Sequence, residues 1–91
     1  MIDRPESLLK GKDIKYLAWK VYEVEVDTND HTTLPDFDTT VALKQAWMAK
    51  QSDGATVTCS KAVGSPYNVV TVTEAGLDDE KCLLFIVGVR A

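Results

Sequence analysis

Apolar and polar residues alternate with a period of two along residues 15–27, which predicts a β-strand. The alternation changes phase once, between Val21 and Tyr22. A β-bulge at this point would produce such a change, and so would a strand whose two halves serve different faces. The residue types agree with a strand, because valine, tyrosine and tryptophan are enriched in strands.

Three more strands are predicted in the second half of the chain, at residues 55–60, 68–73 and 81–89. Glycine, proline and aspartate residues separate them and indicate turns. The last strand is apolar without interruption from Cys82 to Val89. A continuous apolar run is typical of a strand buried on both faces, so we expect this strand at the centre of its sheet.

Residues 39–52 fit two patterns about equally well. The alanine, leucine, lysine and glutamine content favours a helix over 39–51, which Asp38 would cap. The dipeptide Asp53-Gly54 directly before the strand at 55–60 favours a hairpin, because a two-residue type I′ turn needs positive φ at both positions. We expect a strand, with the helix as the alternative, and the two-residue turn would place Met48 opposite Cys59.

Five strands at short spacing predict a small all-β fold, a five-stranded sandwich or open barrel. Ninety-one residues with 45% hydrophobic content suit one globular domain. We assign residues 15–91 to this domain and residues 1–14 to an extended N-terminal arm, since the arm is polar with few large apolar residues.

The formal net charge of −4 disfavours nucleic acid and anionic membranes as partners, because binding phosphates requires clustered lysine and arginine. Residues 27–38 form a predicted acidic loop that also holds the sole histidine. This loop is a candidate binding site for a basic surface. Its candidate residues are Asp27, Asp30, His31, Asp36 and Asp38.

The same loop is the best candidate for a metal site, yet its spacing fits a calcium loop poorly. Asp27, Asn29, His31 and Asp38 occupy positions one, three, five and twelve of an EF-hand count, but Thr32 stands where glycine is needed. We therefore expect a solvated acidic loop and no metal. Two unclustered cysteines, Cys59 and Cys82, also argue against zinc.

Catalytic motifs are not found in the sequence. A histidine-activated nucleophile would need His31, which has no nucleophile nearby in sequence, and phosphate-binding and dinucleotide-binding glycine motifs are absent. We expect a protein without enzymatic activity or cofactor. Five aromatic residues could form an exposed platform for sugars or single-stranded nucleic acid, although at least two should be needed in the core: Tyr16, Trp19, Tyr22, Trp47 and Tyr67.

The N-terminus has no apolar stretch of the kind that a signal peptide requires, and the longest apolar run is too short to span a bilayer. We expect a soluble protein made in a reducing cytoplasm, with both thiols reduced. The arm would then dock on a neighbouring subunit, with Ile2, Pro5, Leu8 and Leu9 as its contact residues.

The segments 51–58, 68–73, 75–77 and 83–89 together resemble small structural proteins of tailed bacteriophages, especially capsid decoration proteins. The resemblance implies a compact β domain without catalytic activity, present in many copies on the virion surface. Its partners would be the major capsid protein or neighbouring copies, so a homo-oligomer is expected. The alternative is a monomeric binding or inhibitory module that uses the acidic loop 27–38 against a basic partner.

Overall fold

The computed structural model describes residues 17–91, which form an all-β structure. The expected arm at 1–14 and its residues Ile2, Pro5, Leu8 and Leu9 lie outside the described residues, as does Tyr16. Seven strands are present where five were predicted. They are β1 (Leu17–Val26), β2 (His31–Thr33), β3 (Gln45–Lys50), β4 (Thr56–Val57), β5 (Cys59–Lys61), β6 (Val69–Val72) and β7 (Glu80–Val89).

The strands form two antiparallel sheets that pack against each other. Sheet A has the order β1-β7-β3-β4, and sheet B has the order β2-β6-β5. Met48, Leu84 and Ile86 from sheet A share one buried core with Val70 and Val72 from sheet B. The predicted all-β class is therefore confirmed.

The helix considered for 39–51 is wrong, and the expected strand is present as β3 over its second half. β3 lies between β7 and β4, where it pairs with β7 along its whole length and with β4 at Met48 and Ala49. Ala46 and Met48, two residues apart on β3, fit a strand because both side chains face the core. Pairing with β7 thus overrides the helix propensity of these residues.

β1 changes the face that carries its apolar residues without a bulge. It pairs with β7 in one unbroken register, from Leu17 opposite Val89 to Val26 opposite Glu80. Of the two explanations for the phase change, the second holds: the apolar residues of the two halves lie on opposite faces of sheet A. Tyr22 and Val24 pack against the core, whereas Trp19 and Val21 are exposed on the outer face.

β7 occupies the centre of sheet A, as predicted from its apolar run. Its inward residues Cys82, Leu84 and Ile86 are fully buried. The expected burial on both faces is found on one face only, because Leu83, Phe85 and Val87 on the outer face are only half-buried.

The hairpin predicted at Asp53-Gly54 is present, but the predicted register is wrong by two residues. Met48 lies opposite Val57 and not opposite Cys59. Of the two residues Asp53 and Gly54, only Gly54 has positive φ (77°), and its N–H donates to the carbonyl of Lys50, so the turn is a longer loop and not type I′. The Asp53 side chain accepts a hydrogen bond from the N–H of Ala55 and stabilises this loop.

The single strand predicted at 55–60 is two strands in different sheets, β4 in sheet A and β5 in sheet B. Thr58 lies between them. Its N–H donates to the Glu74 side chain and its carbonyl accepts from the N–H groups of Thr73 and Glu74. Because these bonds satisfy Thr58 outside either ladder, the chain can cross from one sheet to the other.

The predicted acidic loop 27–38 is only partly a loop. It contains β2, and its Leu34 and Phe37 are buried in the core. Phe37 also forms an antiparallel bridge with Arg90. The interpretation of 27–38 as one solvated segment is therefore wrong, because the segment supplies both an edge strand and core side chains.

Candidate functional site

The outer face of sheet A carries a continuous group of exposed apolar side chains. We call it the aromatic face and define it by Trp19, Val21, Trp47 and Phe85. The strand pairing makes it continuous, because Phe85 on the central strand lies opposite both Val21 and Trp47. Trp19 lies two residues before Val21 on the same face of β1, opposite Val87.

Three of the four side chains of this face are strongly exposed, and Phe85 between them is half-buried. Trp19 has 72% of its surface accessible, Trp47 44% and Val21 43%. The rings of Trp47 and Phe85 stack at 4.8 Å between centroids and 33° between planes. Contact between the two rings restricts their motion in the free protein, which lowers the entropic cost of binding a partner.

The structure does not bring all five candidate residues of the acidic loop together, because Asp36 and Asp38 have partners of their own. Asp36 accepts a hydrogen bond from the Tyr22 hydroxyl at 3.0 Å and lies 3.5 Å from the Lys20 ammonium. Asp38 accepts hydrogen bonds from the N–H and hydroxyl of Thr40, and these bonds lower the pKa of its carboxyl group. These two residues support local structure and lie apart from Asp27.

Tyr22, predicted as a possible member of an aromatic platform, faces inward. Partial burial first, then the hydrogen bond to Asp36 and the negative charge of Asp36, together raise the pKa of its phenol to about 12. Among the four platform members within residues 17–91, Trp19 and Trp47 are exposed and Tyr67 is half-buried.

Asp27 and Asp30 belong to a second feature, which we call the acidic corner: Glu25, Asp27, Asp30, Asp78 and Asp79. Oxygen atoms of Asp27, Asp78 and Asp79 lie within 4.8 Å of one another. The negative charges of Asp27 first, then Asp78, raise the pKa of the Asp79 carboxyl group, with Glu25 and Asp30 contributing less.

Hydrogen bonds from backbone N–H groups to side chains hold the acidic corner together. The Asp27 side chain accepts from the N–H of Asp79 at 2.6 Å, and the Thr28 hydroxyl accepts from the N–H of Leu77 at 2.9 Å. Asp79 has a φ of 50°, in the left-handed region that aspartate tolerates. Sequence reasoning missed Asp78 and Asp79, because they lie 51 and 52 positions after Asp27 and only the fold joins the two turns.

The acidic corner has oxygen donors of the kind that hard cations prefer. Its donor set differs from the EF-hand count considered above, because Asp78 and Asp79 accompany Asp27 where His31 and Asp38 were counted. The carboxylates at this corner therefore have the chemistry that a cation site requires.

A cavity of about 230 Å³ opens beside the acidic corner, between β1 of sheet A and β2 of sheet B. We call it the seam cavity. Its apolar wall consists of Val24, Val26, Met48, Val70 and Val72. Its polar lining consists of Glu25, Asp30, His31 and Thr32.

The two cysteines and the histidine of residues 17–91 differ in burial. Cys59 is half-buried and Cys82 is buried, both are free thiols, and burial raises the pKa of each. A raised pKa keeps a thiol protonated and unreactive. The His31 ring forms no hydrogen bond with another described side chain.

No family model, curated protein or solved structure matches this chain. Among residues 17–91, no helix has the length and apolar character needed to cross a membrane.

Proposed function

We propose that this chain is a non-enzymatic structural protein that binds in many copies within a larger protein assembly. The aromatic face is the observation that carries the proposal. Contiguous exposed apolar patches are uncommon on monomeric proteins and mark protein interaction sites, and tryptophan is enriched at the centres of interfaces. The face lies on three neighbouring strands of one sheet, which gives it a continuous surface for contact with another protein subunit.

The assembly we propose is the shell of a tailed bacteriophage, where the chain would act as a capsid decoration protein on the virion surface. The support for this setting is the resemblance of the four C-terminal segments and the all-β fold that accompanies it. The partners would be the major capsid protein and neighbouring copies of the chain, with synthesis in the host cytoplasm. Neither catalysis nor a cofactor is part of this role.

The role as a many-copy binding protein is tested by the mass of the full-length protein in solution. Light scattering coupled to size exclusion should show a trimer or larger assembly for the native chain. The double variant Trp19→Ser/Trp47→Ser should dissociate toward the 10 kDa monomer, since truncating a tryptophan that is an interface hot spot costs about 2 kcal/mol or more.

Val63→Ser is the matched control, because Val63 is 98% exposed and lies away from the aromatic face. It should leave the mass unchanged. A native chain that stays monomeric at high micromolar concentration, or an assembly that is indifferent to the tryptophan changes, would contradict the proposal.

A second candidate function is a monomeric binding or inhibitory module for a basic partner. The acidic corner favours it, because five carboxylates meet at one end of the molecule, among them three within 4.8 Å of one another. This corner differs from the predicted acidic loop in that Asp36 and Asp38 are not part of it. A stable monomer in the light-scattering experiment would favour this second function over the first.

A further inference from the structure

We propose that the seam cavity of one copy binds residues 7–12 of a second copy, with Leu8 or Leu9 in the cavity and Lys10 and Lys12 against the acidic corner. This inference rests on the proposed function, since it requires copies to meet. It goes beyond that function by assigning a receptor site on the described fold to the N-terminal segment.

The shape of the cavity fits an extended chain with one inserted apolar side chain. β1 and β2 are edge strands of their sheets, so within residues 17–91 each has backbone groups that no strand pairs. The cavity between them has a valine and methionine wall and a volume of about 230 Å³. That is below the roughly 300–1,000 Å³ of sites for drug-sized ligands, and it suits a leucine side chain.

The charge around the cavity calls for a basic ligand. Glu25 and Asp30 line it and belong to the acidic corner, where mutual repulsion already raises the pKa of Asp79. Residues 17–91 contain eleven acidic and six basic residues. A cation bound at this corner would relieve the repulsion, so basic side chains beside the apolar anchor would strengthen binding.

Residues 7–12 have the complementary chemistry. They read Ser-Leu-Leu-Lys-Gly-Lys, with two leucines next to two lysines and no acidic residue. Residues 1–16 also contain four of the ten basic residues of the chain. Residues 1–16 also hold three acidic residues, so their net charge is +1 against −5 for residues 17–91, and residues 7–12 are the part of this segment with basic residues alone.

Geometry favours a second copy over the same copy as the source of this segment. Leu17 begins β1, and the cavity lies at the far end of that strand, near Val24 and Val26. The chain would have to reverse direction before Leu17. In the tightest hairpin, with a two-residue turn at 15–16, Leu8 would come opposite Glu23, next to the cavity. Lys10 and Lys12 would then lie opposite Val21 and Trp19, away from the acidic corner that they are proposed to contact.

The test is an NMR titration of the ¹⁵N-labelled full-length chain carrying Leu8→Asp/Leu9→Asp, so that its own segment cannot compete. The probe is the acetylated and amidated hexapeptide Ser-Leu-Leu-Lys-Gly-Lys. We expect saturable shifts of the amide signals of Val24, Thr32 and Val72. The hexapeptide with both leucines replaced by aspartate should cause none.

Variants of the labelled chain locate the site. Val24→Phe should fill the cavity and abolish binding, while Glu25→Gln should weaken it about twofold to fivefold, as expected for a partly exposed charge pair. Glu23→Gln is the matched control, because Glu23 lies on the same strand, is exposed and does not line the cavity. If Val24→Phe fails to fold, the comparison of Glu25→Gln with Glu23→Gln still decides.

Absence of shifts at millimolar hexapeptide, or shifts that map to Trp19 and Trp47, would overturn the inference. Its failure is distinct from failure of the proposed function. A native oligomer that depends on Trp19 and Trp47, together with no hexapeptide binding, would reject only the seam site. Hexapeptide binding by a chain that is monomeric at high micromolar concentration would show that the cavity accepts this segment without joining two copies, and it would overturn both the inference and the many-copy role.

Discussion

Gly88 is a residue whose missing side chain makes room for two core side chains. A Cβ atom at this position would lie 2.9 Å from Leu43 Cδ2 and 3.0 Å from Phe37 Cδ1. Leu43 and Phe37 are almost completely buried, so neither can move into solvent. Glycine therefore allows the stretch that contains Phe37 to pack directly on the central strand.

Gly88→Ala should destabilise the protein by about 1–3 kcal/mol, the usual cost of overpacking a core. Urea denaturation of the native chain and the variant measures the difference. Gly64→Ala serves as the control, since a Cβ atom there would meet nothing within 4 Å and φ is not positive. Equal stability of the two variants would show that the core near Leu43 adapts freely.

Phe37 shows the limit of prediction from sequence at the residue scale. It stands between Asp36 and Asp38 in a polar stretch, so neither alternation nor composition indicates burial. Its position depends on the bridge with Arg90, which lies more than fifty residues away. Local pattern gives no information on such a contact, whereas Leu84 and Ile86 could be predicted as core from their own strand.

At the scale of elements, turn chemistry predicted the hairpin of β3 and β4, but not its register. Asp53-Gly54 correctly marked the reversal, because a positive φ is needed there. The register depends on how many residues the loop contains, and two loops of different length can use the same dipeptide. The crossing at Thr58 was not predictable for a related reason, since its hydrogen bonds go to Thr73 and Glu74.

The left-handed conformation of Gly54 makes the hairpin testable. Gly54→Ala should lower the free energy of unfolding by about 1–2 kcal/mol, because a Cβ atom disfavours a φ of 77°. Gly54→Asn should cost clearly less, since asparagine tolerates this region. Thermal unfolding of both variants beside the native chain provides the comparison. An alanine variant as stable as the asparagine variant would mean that the loop can change its conformation.

At the scale of the whole molecule, charge and apolar surface are segregated. The aromatic face uses the first half of β1 and the centre of sheet A, whereas the acidic corner lies where β1 ends and β7 begins. The sequence indicated local negative charge, but it placed that charge along 27–38. The fold instead collects Asp78 and Asp79 from the loop before β7, because hydrogen bonds to Asp27 and Thr28 join the two turns.

The crowding of carboxylates at the acidic corner lowers the stability of the fold, and Asp79 makes this effect measurable. Neighbouring carboxylates, Asp27 above all, raise the pKa of Asp79 in the folded state above its ordinary value. The folded protein therefore holds this proton more tightly than the unfolded chain does, so the repulsion destabilises the fold at neutral pH. The fold regains this stability as the pH falls through the raised pKa of Asp79, because the carboxyl group then becomes protonated.

Asp79→Asn removes the charge and keeps a residue that tolerates the φ of 50° at this position. The variant should unfold at a higher temperature than the native chain at pH 7 and low ionic strength. Because the carboxylates are exposed, 1 M sodium chloride should remove most of the difference, and lowering the pH toward 4 should reduce it as well. Glu23→Gln makes the same charge change on the exposed face of β1 and should give a smaller gain. If both variants gained equally, net charge alone would account for the effect, and the close approach of Asp27 and Asp79 would carry no special cost.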